Sequence, residues 1–331
     1  MSRYLVIGLG SMGKRRVRCL LSLGARPEEI WGMDRREDRC KEAKEKYGIQ
    51  IASDEAEIDF DKVKAVIVSL PPDQHLSGVD VAVRCHKPVF VEASVILSEV
   101  EKIKERSKDI FVAPSCTFVF HPMIKKVKSI VESGELGKVC NFSYHSGQYL
   151  PDWHPWEDVK DFYVSRRETG GAREIVPYEL TWITDIFGFP EDIKGYFKRT
   201  GNIGCSIEDS YASCLSYKDM TGTLLVDVVS RYPARNLIIN FEGGQLQWRW
   251  DQERLEIYRA ETEEHSYIQQ KEQAHEDGYS AMIGEDMYVE EIAAFLAGIE
   301  DASKYPNTLE KDRRVLELLN KIEESDGGFE R

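Results

Sequence analysis

The sequence predicts an α/β domain over residues 1–120, followed by an α+β domain over 121–331 whose sheet is open and mainly antiparallel. Three observations carry this. A short apolar run ends in a glycine loop, GLGSMG, that opens a helix-patterned stretch. From residue 138 onward the chain turns to short alternating or β-branched runs, the period of half-buried strands. A length of 331 residues also suits two cores better than one.

The first strand is RYLVIG, residues 3–8. The loop from Gly8 to Gly13 follows it, and the helix after the loop carries Val17, Cys19, Leu20 and Leu21 on or near one stripe. A second strand, IWGMD, ends on Asp34, 26 residues after Gly8, close to the spacing of a ribose-binding carboxylate in a Rossmann domain. Each glycine has a reason. Gly8 permits a tight turn, Gly10 lets the backbone approach a pyrophosphate, and Gly13 allows helix and strand to pack closely. Ser11 and Met12 complete the loop, and the helix N-terminus offers its amides to phosphates. Lys14, Arg15 and Arg16 oppose the helix dipole in the first turn, which fits either a nearby anion or simple solvation. Asp34 favours NAD by accepting from ribose hydroxyls, while Arg35 or Arg36 could hold the extra phosphate of NADP. A third strand, KAVIVS, runs into Ser69, Leu70 and Pro71, which with His75 are expected along the cofactor crevice. A fourth, Val89–Val91, presents Glu92 at its carboxyl end as a further expected cofactor contact, and Ala93 and Ser94 follow.

In the second domain, runs at 138–149, 191–200, 205–217, 221–232, 235–241, 244–250 and 253–259 read as strands. Stretches at about 171–187, 285–300 and 308–323 read as helices. The runs LLVDVV and LIINF are too apolar for a sheet face left in water, so a partner subunit is expected over the second face.

Composition narrows the function. Hydrophobic residues at 42% and charged residues at 31% are ordinary for a globular chain, and no apolar run reaches the roughly 20 residues of a membrane span. No secretory signal is evident at the start, so a cytoplasmic protein is expected. A net charge of −14 argues against nucleic acid. The seven cysteines show no C-x-x-C pair and are expected as free thiols acting as small core residues.

With GLGSMG, VIVSLPPDQH, HKPVFVEAS and FHPMIKKVKSIVESGELGKVCNF in this order, the chain resembles the GFO/IDH/MocA oxidoreductase family, named after glucose–fructose oxidoreductase and inositol dehydrogenase. The resemblance implies an α/β Rossmann domain followed by an α+β domain with an open, mainly antiparallel sheet. It also implies substrate on one sheet face, a homo-oligomer (dimer or tetramer) through the other, and frequent action on sugars or sugar nucleotides. It further implies Glu-Lys-Pro where this chain reads Glu92-Ala93-Ser94, and a helix bearing an aspartate and a proton-exchanging histidine after paired glycines. Here that helix reads GGAREIVPYELTW, with Tyr178 in the histidine's place and Ile175 or Glu174 in the aspartate's.

Two readings follow. The chain either kept the fold and the cofactor as a non-catalytic NAD-binding sensor or scaffold, or it rebuilt its site as an NAD(P)-dependent enzyme. The second is favoured by the polar and aromatic residues gathered at 144–158 and 162–174. Tyr178, Glu174 and His154 are the candidate acid–base residues. Glu174 and Tyr178 share a helical face at i, i+4, although Pro177 between them could rotate it. A phenol titrates near 10, so Tyr178 needs a cation such as Arg173 beside it. His145, Trp153, Arg166, Arg167 and Arg173 are candidate substrate contacts, the arginines for a carboxylate or diphosphate and the aromatics for a sugar ring. A zinc site from His145, Asp152 and His154 lacks tight ligand spacing, and no metal is expected.

Overall fold

The computed structural model describes residues 3–153, 158–161, 163–270 and 284–327. In chain order the elements begin β1 (Arg3–Ile7), α1 (Ser11–Ser22), β2 (Ile30–Met33), α2 (Glu37–Tyr47), β3 (Gln50–Ile51) and β4 (Val63–Val68). There follow α3 (His75–Arg84), β5 (Val89–Val91), α4 (Leu97–Arg106), β6 (Val112–Pro114), α5 (Pro122–Ser133), β7 (Val139–Tyr149) and α6 (Ala172–Phe187). The chain ends with β8 (Asp192–Lys198), β9 (Ser210–Ser216), β10 (Thr221–Asp227), β11 (Val229–Phe241), β12 (Gly244–Arg249), β13 (Arg254–Arg259), β14 (Glu264–Gln269), α7 (Asp286–Gly298) and α8 (Leu309–Ser325).

The chain divides into two compact units. One is Met1–Thr117 with Asp286–Arg313, and the other is Phe118–Glu285 with Arg314–Arg331. Residues 286–313, placed with the second domain in the sequence reading, thus belong to the first unit, where α7 packs on α1. There Glu291 of α7 accepts from Arg16 Nη1 of α1 at 2.8 Å, and the Phe295 ring lies 5.8 Å from that of Phe90.

The first unit holds a six-stranded sheet in the order β3-β2-β1-β4-β5-β6, every neighbouring pair parallel. The strands are apolar because both faces are covered: Leu5, Val6, Ala65, Val66, Ile67, Val68, Val89 and Phe90 have no exposed surface. The order reverses between β1 and β4, and a doubly wound sheet opens its ligand crevice at the carboxyl ends of the strands at such a switch point.

The second unit holds an eight-stranded sheet, β14-β13-β12-β11-β7-β10-β9-β8, antiparallel throughout except for β7 with β10. α6 packs on β9 and β10, and α5 packs on α6. Strict alternation marks the covered face. In β8, Ile193, Gly195 and Phe197 are buried while Asp192, Lys194, Tyr196 and Lys198 are exposed. The same alternation revises the reading of the apolar runs. Leu224, Val226, Val228, Leu237, Ile239 and Phe241 are buried, leaving mainly Leu225 and Ile238 on the uncovered side. That side is largely polar, with Asn240 bridging Asn141 and Gln245 across three strands. Among the described residues no helix is long and apolar enough to cross a membrane. None of the seven cysteines is in a disulfide, but only Cys19 and Cys116 are buried, so the expected core role holds for those two.

Candidate functional site

In the first unit the glycine loop lies at the carboxyl end of β1, beside β4. Gly8 sits at φ +91°, and a Cβ there would stand 2.5 Å from the Ser69 carbonyl oxygen. A Cβ on Gly13 would stand 1.8 Å from the Gly8 carbonyl oxygen, so α1 reaches the strand only because Gly13 has none. Gly10 differs. The nearest atom to its absent Cβ is Arg39 Nη1 at 3.4 Å, the far end of a flexible side chain. The protein's own packing thus explains Gly8 and Gly13 but not Gly10, whose bareness suits the close approach of a dinucleotide pyrophosphate. Gly10, the N-cap of α1, supplies no side-chain cap, and the first turn contains no acid, so the helix end suits an anion.

Asp34 closes the other end of this cradle. Its Oδ2 accepts from the Leu9 amide at 2.7 Å and its Oδ1 from the Arg36 amide at 2.9 Å. These bonds fix the carboxylate, and each oxygen keeps a lone pair for a ribose hydroxyl. Arg35 donates instead to Gln74 Oε1 at 2.6 Å.

Two expected cofactor contacts serve as supports. His75 is fully buried, and its Nε2 lies 2.9 Å from the Leu70 carbonyl, bracing the Ser69–Pro71 turn from behind. Burial lowers its pKa to about 4, so the ring is neutral. Both oxygens of Glu92 are gripped by Arg16, through Nε at 2.7 Å and Nη2 at 2.9 Å, and Ser69 Oγ donates to Oε1 at 3.2 Å. The anion expected near the basic first turn of α1 is therefore supplied by the protein's own carboxylates. Arg16 has no exposed surface and is neutralised from within, by Glu92 and Glu291. Burial alone would lower its pKa, but the two carboxylates hold it well above the usual value. Glu291 also accepts from the Cys116 amide and from Ser115 and Thr117 hydroxyls, at 2.6 to 3.0 Å. Lys14 pairs with Glu42 and Arg15 lies over the Tyr288 ring.

In the second unit α6 begins where Gly170 and Gly171 fold against the preceding turn; a Cβ on Gly170 would stand 2.0 Å from the Val164 carbonyl oxygen. The helix continues through Pro177 to Phe187. Tyr178 is half-buried, its ring 5.7 Å from that of Phe118, and the Arg235 guanidinium carbon lies 5.9 Å from its ring centre. Arg235 comes from β11 and is tied to Glu179 Oε1 at 3.2 Å. Glu179 is fully buried and also accepts from Tyr144, Ser146 and Trp182 at 2.7 to 3.0 Å. The cation beside Tyr178 is thus Arg235 rather than Arg173. Sequence reasoning missed it, although an arginine opening the apolar run RNLIINF, at a position the pleat buries, was a usable signal.

Glu174 lies one turn before Tyr178 but bonds elsewhere. Its Oε1 accepts from the Tyr163 hydroxyl at 2.6 Å, and its Oε2 is buried with no hydrogen-bond partner among the described residues. Burial raises its pKa to about 7, against the opposing pull of that hydrogen bond. His121 caps α5 by accepting from the Met123 amide, and burial with the Arg235 charge lowers its pKa to about 3.

Several expected substrate contacts point elsewhere. His145 alternates with Tyr144 and Ser146, which face Glu179, so it stands on the opposite face of the sheet from α6. There its Nε2 lies 2.7 Å from Asp227 Oδ2. Arg173 is bound to Glu323 and to the Glu168 carbonyl, and Arg167 to Glu208, so neither extends as a free anion clamp. Arg166 is exposed. Trp153 buries an indole N–H that has no partner among the described residues. His154 lies outside the described residues. Among the described residues no cluster of metal-ligating side chains is present.

The cradle and the sheets define a class by fold, a dinucleotide-binding Rossmann unit with a separate α+β unit. Residues 2–109 match the model of the oxidoreductase family with the NAD-binding Rossmann fold, and residues 124–247 match that of the GFO/IDH/MocA C-terminal domain. The chain belongs to the GFO/IDH/MocA oxidoreductase family. It is 33% identical over 111 residues to myo-inositol 2-dehydrogenase of Thermotoga maritima, covering 32% of this chain and 33% of that one. It is 28% identical over 145 residues to dTDP-3,4-didehydro-2,6-dideoxy-alpha-D-glucose 3-reductase of Actinomadura kijaniata, covering 42% and 43%. The matched stretches thus span less than half the length of these relatives. An oxidoreductase of Agrobacterium radiobacter, solved with NAD+, L-tartaric acid and magnesium, shares the fold with a TM-score of 0.83 at 16% identity, over 98% of this chain and 96% of that one.

Proposed function

We propose that the chain is an NAD(P)-dependent oxidoreductase that moves a hydride between the nicotinamide and a hydroxyl-bearing carbon of a sugar or sugar nucleotide. When bound, the nicotinamide supplies the hydride chemistry. The glycine loop, Asp34 and the Ser69–Pro71 turn hold the dinucleotide. Tyr178 exchanges the substrate proton. One observation carries this assignment: a part-buried tyrosine on α6, where the family resemblance puts a histidine, has the anchored guanidinium of Arg235 at 5.9 Å from its ring. The Arg235 guanidinium, anchored by Glu179, sets a fixed positive charge and N–H donors beside the Tyr178 ring. Glu174, with a pKa raised to about 7, is a second proton-holding group on the same helix. The sugar class is supported by the named substrates of the inositol dehydrogenase and the dTDP-sugar reductase.

The test is Tyr178→Phe. It should lower kcat by about 10²- to 10⁴-fold on an accepted sugar, the usual worth of a positioned acid or base, and leave NAD binding unchanged. Full activity in that variant would remove Tyr178 from the mechanism. A non-catalytic NAD-binding role is the second reading, supported by Ala93 in the family lysine's place and by Glu92 being held by Arg16 and Ser69. A homo-oligomer through the uncovered sheet face belongs to the same proposal. Light scattering at micromolar protein should return a dimer or tetramer, and a monomer would refute that part.

A further inference from the structure

Arg16 stands near the start of α1, yet its side chain has no exposed surface and turns inward, away from any phosphate. Nε and Nη2 grip Glu92 at 2.7 and 2.9 Å, Nη1 donates to Glu291 at 2.8 Å, and Nη2 reaches Ser115 Oγ at 3.4 Å. The guanidinium carbon also lies 4.4 Å from the centre of the Phe90 ring and 5.3 Å from that of Tyr288. It is thus clamped by groups at the ends of β5 and β6 and by α7. The chain of contacts continues to the crevice. Ser69 Oγ donates to Glu92 Oε1 at 3.2 Å, while the Glu92 amide donates to the Val68 carbonyl at 3.1 Å and the Ser69 amide to the Ile7 carbonyl at 2.8 Å. Glu92 therefore ties the carboxyl ends of β4 and β5 together, and Ser69, unlike Arg16, is part exposed.

The sheet order is β3-β2-β1-β4-β5-β6. A dinucleotide whose adenosine ribose is held at the end of β2 and whose pyrophosphate lies at α1 extends its nicotinamide half toward the ends of β4 and β5. We propose that Arg16 is a positioning residue for that nicotinamide half: it fixes Glu92 and, through Glu92, the Ser69 hydroxyl, and α7 keeps it in place through Glu291. Arg16 touches no ligand itself. A planar guanidinium engages both oxygens of Glu92 and one of Glu291 at once, and the single nitrogen of a lysine does not reproduce that fork. A residue 275 positions away in the sequence thereby helps to set one end of the cofactor crevice.

The inference concerns dinucleotide binding, and its test needs no turnover, so it stands or falls separately from the hydride-transfer reading. Full-length wild type, Arg16→Lys, Glu291→Gln and Ser69→Ala are titrated by calorimetry with NADH and with ADP-ribose, which lacks the nicotinamide. Fluorescence of the bound dihydronicotinamide reports on that half directly. Arg16→Lys should lose about 10-fold in NADH affinity, the worth of a charge-assisted contact, and at most about threefold in ADP-ribose affinity. The emission of its bound NADH should shift toward that of free NADH. Glu291→Gln should change both readings in the same direction and by less. Ser69→Ala should also weaken NADH selectively, and adding it to Arg16→Lys should cost little more, because both act on one contact. Equal losses for the two ligands in Arg16→Lys would make Arg16 a support of the whole loop and overturn the proposal, as would unchanged NADH affinity. If Arg16→Lys does not fold, Glu291→Gln carries the same readings, and equal or absent losses there overturn the proposal too.

Discussion

Replacing Glu174 with glutamine should stabilise the protein at alkaline pH and change little at acid pH. Oε1 of Glu174 accepts from Tyr163 at 2.6 Å and Oε2 is buried, and burial raises the carboxyl from its ordinary 4.5 to about 7. The folded chain therefore holds this proton more tightly than the unfolded chain. The stability that comes with it is complete below the unfolded pKa and is lost as pH rises through the folded one. Each pKa unit is worth about 1.4 kcal/mol, so ionising the buried carboxylate costs the folded state about 3 kcal/mol. Glutamine stays neutral at every pH and keeps an oxygen for the Tyr163 hydroxyl. Urea unfolding of both proteins should show a stability difference below about 1 kcal/mol near pH 5, widening to about 3 kcal/mol in the variant's favour near pH 8. A difference that does not vary with pH would refute the reasoning, as would a variant less stable than wild type near pH 8.

Two other outcomes follow from buried geometry. Gly13→Ala places a Cβ 1.8 Å from the Gly8 carbonyl oxygen, which forces α1 off the loop; calorimetry should show NAD affinity reduced by more than about tenfold. Glu291→Ala removes the acceptor shared by Arg16, Ser115, the Cys116 amide and Thr117, at a cost of about 3 kcal/mol in denaturant unfolding.

Local signals were legible in the sequence, and long-range pairings were not. The glycine loop and Asp34 could be read because their chemistry depends on spacing within one βαβ unit. The helix at 172–187 and the strand at 192–198 carry their own periodicity, so the expected bounds fall within a few residues of those observed. β14, EHSYIQ, was missed because a polar edge strand has no buried face to mark it. Glu291 could not be assigned to the first unit, since its partner Arg16 lies 275 residues away. Arg173 and Arg167 read as anion clamps only until Glu323 and Glu208, supplied by other elements, accounted for them. The i, i+4 relation of Glu174 and Tyr178 was visible, but nothing in the spacing showed that Glu174 would turn to Tyr163 while Arg235 came to Tyr178.

The central claim is that the rebuilt site turns over. Purified protein mixed with NAD and, in turn, inositols, free sugars and sugar nucleotides gives the direct reading in the near-ultraviolet absorbance of reduced nicotinamide. The account predicts that at least one of these compounds produces that absorbance, and that Tyr178→Phe suppresses it without weakening NAD binding. If NAD binds by calorimetry and no compound yields reduced nicotinamide, while NADH likewise fails to reduce the corresponding keto compounds, the chain is a dinucleotide-binding protein without this chemistry.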